Sequence, residues 1–511
     1  MMAAQHIEPG FSLRNLLLGI AEVGDDVGVS MLTLDARDIT IGGLFLAVSG
    51  AQRHGMQYAE QAIQNGVAAI VFDPKFGGDL LSKKFTNRDD VVMLELSDLS
   101  KYVSEIASRF YQYPSKKIPV IGITGTNGKT SVSHFIAQAM GASQPCAVIG
   151  TLGWGFLGRL TKTVNTTPDA VSIQRSLSGL LDEKAEAIVM EVSSHGLQQN
   201  RVAAVEFNGA VFTNLTHDHL DYHGSMDAYG EAKLKLFQSP ALKFAVVNLD
   251  DSYSTKIIKT LDLDVKLFGY SRLPTTDKKV DVLLRITNEV VDVGGLSFSL
   301  DYQGHQYDVR SELVGGFNID NITATLAVLL AKGWEIREAI NAVANLKNAP
   351  GRMERILLDE SLPLVVVDFA HTPDALASVL ESVREHCDGK LIVVFGCGGD
   401  RDPSKRELMG QVASTLADSV IVTNDNPRHE SAECIAEAIM LGVRDDAEAE
   451  VLLDRKAAIS KAVSDASVND VVVVAGKGHE DYQLMADERM PFSDIDVVRS
   501  ALHYRLTGGA Q

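Results

Sequence analysis

Ile118-Pro-Val-Ile-Gly-Ile-Thr-Gly-Thr-Asn-Gly-Lys-Thr130 is the stretch on which the fold turns. Its first seven residues form an apolar run, read as a buried strand. Gly125, Thr126, Asn127 and Gly128 then make a loop. Lys129, Thr130 and Ser131 open a helix with apolar positions at Val132, Phe135, Ile136 and Ala139. Strand, glycine loop and helix in this order build an anion site: glycines let backbone N–H groups close on phosphate oxygens, and the helix dipole adds partial positive charge. Lys129 is placed to reach the β and γ phosphates of a nucleotide, and Thr130 to offer its hydroxyl to Mg²⁺. The spacing departs from the strict phosphate loop, because Ile123 stands where a first glycine would fall. The bland alternative is a βα turn that uses glycine for geometry alone, but Lys-Thr at the helix start then has no packing reason.

Beyond this loop the chain is punctuated into three regions: 1–115, 116–348 and 349–511. The first ends in the polar stretch Tyr113-Pro-Ser-Lys-Lys117, and the third opens at Ala349-Pro-Gly-Arg352, where Pro and Gly mark a linker. In the first, Ala68–Phe72 and Val91–Leu94 are short apolar runs. In the third, Leu364–Val367, Leu391–Phe395, Ser419–Thr423 and Val471–Ala475 read as buried strands, with helical periodicity over Ala375–Val383 and Arg406–Leu416. This alternation predicts a parallel, doubly wound sheet, so the expected class is α/β throughout. The strands run into Asp368-Phe-Ala-His371, Gly396-Cys-Gly-Gly-Asp-Arg-Asp402, Asp425-Asn-Pro-Arg428 and Gly476-Lys-Gly-His-Glu480. Open α/β sheets bind ligands beyond the carboxyl ends of their strands, so these four loops predict a site.

Composition narrows the partners. A chain of 511 residues exceeds what one core supports. Its net charge of −20 argues against nucleic acid and anionic membranes, so any anionic substrate must be held by local donors. The four cysteines, Cys146, Cys387, Cys397 and Cys434, form no Cys-x-x-Cys pair, which suits a reducing compartment. Met1–Gly10 lacks the apolar core of a signal peptide, and no apolar run reaches the roughly 18 residues of a membrane span. A soluble, cytoplasmic protein is expected.

Two central features carry chemistry. The apolar run Ala187–Val192 places Glu191 among buried neighbours, which costs several kcal/mol unless the carboxylate is paired or metal-bound. Asn214-Leu-Thr-His-Asp-His-Leu-Asp-Tyr-His223 crowds three His and two Asp into ten residues. Such donors suit Mg²⁺ or Mn²⁺ rather than structural zinc, and a polar loop rich in turn-formers is an equal alternative.

The loop Gly125–Thr130, Glu191-Val-Ser-Ser-His195, Thr213-Asn-Leu with Asp218-His-Leu-Asp-Tyr-His-Gly224, and the Tyr229 to Lys233 segment together resemble the Mur ligase family. Asp425-Asn-Pro-Arg428 and Gly476-Lys-Gly-His-Glu480 resemble its diaminopimelate-adding branch. The likeness runs from Thr33-Leu-Asp-Ala-Arg37 to Glu480, nearly the whole chain. It implies a UDP-binding N-terminal domain, a central phosphate-loop ATPase domain and a C-terminal Rossmann-like domain. It implies an ADP-forming ligase of peptidoglycan precursor synthesis, joining meso-diaminopimelate to the D-glutamate carboxylate of UDP-N-acetylmuramoyl-L-alanyl-D-glutamate. ATP would be co-substrate, with two Mg²⁺ ions, small molecules the only partners, and the enzyme a monomer.

The resemblance also distributes roles. Lys129, Glu191, His219 and Lys233 are implied as catalytic, and Thr130, Glu191, His219 and a CO₂-carbamylated Lys233 as metal-associated. Asn318 and Arg352 would contact the nucleotide. Leu34, Ala36, Gln52, Asn165, Thr166, Thr167, Ser193, Gln199 and Arg201 would contact the UDP substrate. Arg401, Asp425, Asn426, Pro427, Arg428, Gly476 and Glu480 would hold diaminopimelate. From residues alone, Lys233 beside Lys235 reads as a solvated helix face, and Asp425–Arg428 as a plain turn. His195 and His219 are the candidate proton acceptors by residue type, although His219 as a metal ligand could not also serve.

A diaminopimelate site needs a fork-shaped cation for the distal carboxylate and acceptors for the distal ammonium, which Arg428 and Glu480 supply. Lysine would leave Arg428 unpaired, discriminating by roughly 10⁴-fold. The rivals are a ligase adding lysine or another amine, a folylpolyglutamate-synthase-like enzyme, and a nucleotide-binding scaffold with a dead site. Departures from the family pattern fall mainly in the N-terminal region: Ala36 stands where Ser is usual, Gly43 where Asp is usual, and Ala51-Gln52 keeps part of the uridine-side loop. Phe369 stands for a common Tyr and Glu407 for a common Pro.

Overall fold

The computed structural model describes residues 11–508 apart from 51, 52, 86, 87, 89, 142 and 275–278. Ala51 and Gln52, expected near the uridine, lie outside the described residues. The chain divides into two compact units, Met1–Phe268 and Gly269–Gln511.

The first unit contains a parallel sheet in the order Met31–Thr33, Gly43–Ala47, Ala69–Phe72, Val92–Glu95. Strand alternation sorts its side chains: Leu44, Leu46, Ala69 and Val71 pack with Ile106 and Phe110, whereas Phe45, Ala47, Ile70 and Phe72 pack with Ala59 and Ala62. At Gly43 an added Cβ would stand 2.9 Å from Met31 Cγ and 3.0 Å from the Thr40 carbonyl, so the aspartate usual in the family would force its neighbours to shift. The polar stretch that closes the first region contains a short helix, Pro114–Lys117, with Pro114 and Ser115 buried. Proline at the first helical position is pre-organised for that turn.

The unit's second sheet runs Phe244–Asn248, Phe207–Phe212, Val120–Thr124, Ala187–Glu191, Cys146–Gly150, Gly153–Phe156; only the last pair is antiparallel. Register places Ile123 beside Glu191 and Thr124 beside Phe212. Three parallel strands therefore end level with one another at the glycine loop.

In the second unit, Val282–Asp292, Gly295–Tyr302 and His305–Ser311 form an antiparallel meander, followed by helices Asn318–Ala331 and Ile336–Ala344. A six-stranded sheet then runs Glu354–Ile356, Leu364–Asp368, Val471–Ala475, Leu391–Phe395, Ser419–Val422, Glu448–Val451, parallel except for the first pair. Val471 and Val473 pack on one face with Leu376, Leu380 and Met409; Val472 and Val474 pack on the other with Ile459, Val463 and Leu502. Both faces are covered by helices, which is the expected doubly wound arrangement and explains the unbroken valine run. No helix among the described residues is long and apolar enough to cross a membrane.

Candidate active site

The glycine loop is braced by the segment that follows the neighbouring strand. Thr126 N donates to the Asn214 carbonyl and Asn127 N to Asn214 Oδ1, each at 2.9 Å. Thr213 Oγ1 donates to the Asn127 carbonyl at 2.6 Å. Gly125 has φ +153°, and a Cβ there would lie 1.9 Å from Thr213 Oγ1, so this position accepts glycine alone. Ile123, the departure from phosphate-loop spacing, is fully buried in the strand. The helix Lys129–Gly141 buries Val132, Phe135, Ile136 and Ala139 as the periodicity predicts.

Lys129 Nζ donates to the carbonyls of Gly125 and Thr126, both at 2.8 Å. Lys233 Nζ donates to the same Gly125 carbonyl at 2.8 Å, so one oxygen gathers both amines. Lys233 is 1% exposed, which overturns the reading of a solvated helix face. Its helix Met226–Leu234 buries Tyr229, Gly230, Ala232, Lys233 and Leu234, a pattern set by packing against the loop and not by amphipathic spacing. Burial, and then the charge of Lys129, push the Lys233 amine down to about 6. Its Nζ lies 4.2 Å from the centre of the Tyr229 ring, and the Tyr229 hydroxyl meets Thr126 Oγ1 at 3.2 Å.

Glu191 is fully buried. Its carboxylate accepts from Thr130 Oγ1 at 2.8 Å, Thr151 N at 2.9 Å and Thr151 Oγ1 at 3.0 Å. These three donors answer the desolvation cost of the charge. A Cβ on Gly150 would fall 2.1 Å from Glu191 Oε1, so the neighbouring strand must end in glycine for the carboxylate to lie flat against it.

His219 adopts φ +53° at the start of the helix Leu220–His223. Its ring meets His195 edge-on at 4.9 Å and Tyr229 at 6.0 Å, and the His195 ring lies 4.1 Å from Tyr222. The cluster read as either metal donors or polar turn thus forms an aromatic wall beside the loop. Among the described residues no three His, Cys, Asp or Glu side chains are grouped to hold an ion by themselves.

Of the residues assigned to the UDP substrate, Thr167, Ser193, Gln199 and Arg201 are linked by hydrogen bonds. Gln199 Nε2 donates to the Tyr222 hydroxyl at 3.0 Å, Arg201 Nε to Gln199 Oε1 at 3.0 Å, and Arg201 Nη1 to the Thr167 carbonyl at 2.6 Å. Thr166 Oγ1 lies 3.1 Å from Thr151 Oγ1 and can donate to it. Thr167 is fully buried: its hydroxyl donates to the Glu191 carbonyl and accepts from Ser193 N, both at 2.9 Å. Ser193 caps the helix Ser194–Gln198. Asn165 is exposed, Leu34 half-buried and Ala36 buried.

In the second unit the loops after parallel strands converge. Asn426 Nδ2 donates to Glu480 Oε2 at 3.0 Å, and Lys477 Nζ donates to the same oxygen at 2.8 Å. Arg428 takes φ +53°, and its Nη1 donates to the Gly399 carbonyl at 2.6 Å. Pro427 and Gly476 are buried. Asp425 is 8% exposed; burial raises its carboxyl, with Arg455 and then Lys477 drawing it back. The turn is thus buried and wired to its neighbours. Beneath it, Arg455 and Asp494 form a fully buried ion pair at 2.7 Å. Arg455 also donates to the carbonyls of Asn424 at 3.1 Å and Ala475 at 3.0 Å, the residues just before Asp425 and Gly476. Arg401 and Arg352 are exposed. Asn318 is buried, with Nδ2 donating to the Val314 carbonyl at 2.7 Å and Oδ1 accepting from Asn321 at 2.9 Å.

Thr151, Lys477, Arg455 and Asp494 were not expected at these sites. Lys477 lies inside a glycine-flanked motif that could have signalled it. Thr151 follows a plain apolar strand, and Arg455 and Asp494 lie 39 positions apart, so only the fold joins them.

Comparison with known proteins extends the geometry. Residues 28–111 match the model described as Mur ligase family, catalytic domain; residues 123–329 match the Mur ligase middle domain; residues 351–478 match the Mur ligase, glutamate ligase domain. The chain is 43% identical over 489 residues to the UDP-N-acetylmuramoyl-L-alanyl-D-glutamate–2,6-diaminopimelate ligase of Ectopseudomonas mendocina (strain ymp), covering 96% of this chain and 97% of that one. It is 42% identical over 478 residues to the Coxiella burnetii (strain RSA 493 / Nine Mile phase I) protein of the same name, covering 93% and 96%. A solved structure of a ligase bearing that name superposes with a TM-score of 0.70 at 36% identity, covering 94% of this chain and 96% of that one. Matched in three successive regions and along nearly its whole length, the chain belongs to the Mur ligase family.

Proposed function

We infer that this chain is the ATP-dependent ligase that joins meso-diaminopimelate to the D-glutamate carboxylate of UDP-N-acetylmuramoyl-L-alanyl-D-glutamate. One observation carries the reading: Lys129 and the buried Lys233 converge on the Gly125 carbonyl of the glycine loop. Lys129 is placed to offset the charge of an incoming polyphosphate, while burial and the charge of Lys129 hold Lys233 toward its neutral form. Regions 1–115, 116–348 and 349–511 are assigned to the UDP substrate, ATP and the amino acid, and the enzyme to the cytoplasm, as a monomer.

The chemistry is acid activation. The D-glutamyl carboxylate oxygen attacks the γ-phosphorus of ATP, the bond to the β-phosphate oxygen breaks, and an acyl phosphate and ADP result. The L-centre amine of diaminopimelate then attacks the acyl carbon, and phosphate leaves with the C–O electron pair as the amine loses its proton. Lys129 and the loop N–H groups offset charge on the transferring phosphoryl group. Thr130, Glu191 and His219 present the oxygen and nitrogen donors that suit Mg²⁺, and the buried Glu191 carboxylate touching Thr130 fits such an ion. When bound, Mg²⁺ supplies electrostatic stabilisation of the phosphates.

Lys233 fits a carbamylated ligand. An amine pushed down to about 6 is mostly neutral at pH 7, and only the neutral amine adds to CO₂. Carbamylation turns a neutral amine beside Lys129 into an anion that pairs with it. At the strand ends, Arg428 supports the diaminopimelate reading over lysine. The test is incubation of the protein with ATP, Mg²⁺, the UDP-linked dipeptide and either meso-diaminopimelate or lysine, with products weighed by mass spectrometry. A tripeptide product with diaminopimelate is expected; equal or exclusive use of lysine overturns the assignment. ATP binding without any ligated product favours the inactive scaffold.

A further inference from the structure

Glu480 can receive the distal ammonium of the substrate only if its carboxylate holds one position. Its two oxygens have different company. Oε2 accepts from Lys477 Nζ at 2.8 Å and from Asn426 Nδ2 at 3.0 Å. Oε1 has the Tyr482 hydroxyl at 3.5 Å. Lys477 also donates to Asn426 Oδ1 at 3.2 Å, and Leu484 N donates to that same atom at 2.8 Å. The lysine, asparagine and glutamate thus form a closed triangle of hydrogen bonds, tied to the backbone at Leu484.

Lys477 is 0% exposed, with its Nζ 5.4 Å from the centre of the Tyr482 ring. The cost of burying this lysine is offset by the Glu480 carboxylate beside it. Burial raises the Glu480 carboxyl, yet the hydrogen bond and charge of Lys477, helped by Asn426, bring it below the usual glutamate range. The pair is asymmetric: Lys477 is out of solvent, whereas Glu480 keeps a partly exposed side chain. One end of the pair is therefore sealed in the protein and the other is open to a ligand.

We propose that Lys477 is a positioning residue for the amino-acid substrate: by holding Glu480 Oε2 from the buried side, it turns Oε1 toward the substrate's distal ammonium. This rests on the assignment of the strand-end loops to diaminopimelate. Without Lys477, Glu480 Oε2 keeps only its bond from Asn426, and Asn426 Oδ1 loses one of its two donors, so the distal ammonium meets a carboxylate held less firmly. The reacting amine is at the other end of the molecule, so binding suffers and the chemical step does not.

The test uses the full-length protein and ATP-dependent phosphate release, with ATP and the UDP-linked dipeptide saturating. Lys477→Met, Lys477→Gln, Glu480→Gln and the Lys477→Met/Glu480→Gln double variant are compared. In Lys477→Met, KM for meso-diaminopimelate rises by about tenfold to a hundredfold while kcat changes by less than about threefold. KM for ATP is unchanged, and Lys477→Gln, which keeps a donor, falls between Lys477→Met and the parent. Placed on Glu480→Gln, Lys477→Met adds less than about twofold, since both act through one carboxylate. A full additive penalty on Glu480→Gln, or a fall in kcat with KM unmoved, overturns the proposal. If Lys477→Met does not fold, Lys477→Gln on and off the Glu480→Gln background decides by the same comparison. Should the parent protein form no product with diaminopimelate, the functional assignment fails first; a parent that turns over with additive variants sinks the positioning role alone.

Discussion

Each unit buries a lysine at the ends of parallel strands, and the two keep opposite company. Lys233 shares the Gly125 carbonyl with Lys129, a second cation. Lys477 meets Glu480 and Asn426. Exposure is almost the same, 1% against 0%, so burial alone does not distinguish them. Neighbours do. A buried amine beside a cation is driven toward its neutral, nucleophilic form, and a buried amine beside a carboxylate becomes half of an ion pair that orients its partner. The first arrangement suits covalent modification, and the second suits recognition.

The contrast is broken most severely at the glycine loop. Lys129→Ala should lower ligation by at least about 10³-fold, read as ATP-dependent phosphate release, because the loop loses the charge that offsets the transferring phosphoryl group. Detectable turnover near the parent rate would remove Lys129 from the chemistry. At the strand ends, Arg428→Ala should raise KM for meso-diaminopimelate and reduce its preference over lysine by about 100-fold or more. Unchanged selectivity would return the turn to a structural role.

Stability supplies the next comparison. Asp494→Asn leaves Arg455 buried with a neutral partner and should destabilise the protein by ~3–5 kcal/mol in urea unfolding. The exposed pair Arg37–Asp35, at 76% and 39% side-chain exposure, is the control, and Arg37→Ala should leave the urea midpoint essentially unmoved.

The subtlest effect is in pH. Capture of ¹³C-labelled CO₂ by Lys233 requires the neutral amine, so it should persist above the titration point of about 6 and fall away as pH drops through it. In Lys129→Met the repelling charge is gone, so the amine's titration moves up and capture should fail at a higher pH than in the parent. An inflection that does not move would mean that burial alone sets the Lys233 amine.

Much of this was legible residue by residue. The valine run Val471–Ala475 and its companions read as buried strands because both faces of a parallel sheet exclude polar residues, and the structure has them within a residue of the expected bounds. The edge strand Glu448–Val451 was missed, since an exposed edge carries glutamates like any loop. The meander from Val282 to Ser311 was missed too: its exposed positions dilute the alternation that marks a strand. Lys233 sits in a nine-residue helix whose polarity suggests solvent, and only its packing against the glycine loop buries it.

What the sequence by itself determined is therefore the local grammar: a strand, a glycine loop and a lysine-led helix, and strands that run straight into polar loops. Those patterns arise from neighbours along the chain, where steric preference and side-chain period act. Tertiary structure decided the partners. Glu191 meets Thr130 across 61 positions, Lys233 reaches Gly125 across 108, and Asn426 reaches Glu480 across 54. Electrostatic interaction depends on distance in space and on the water excluded between the groups, and neither quantity exists until the strands have been laid side by side.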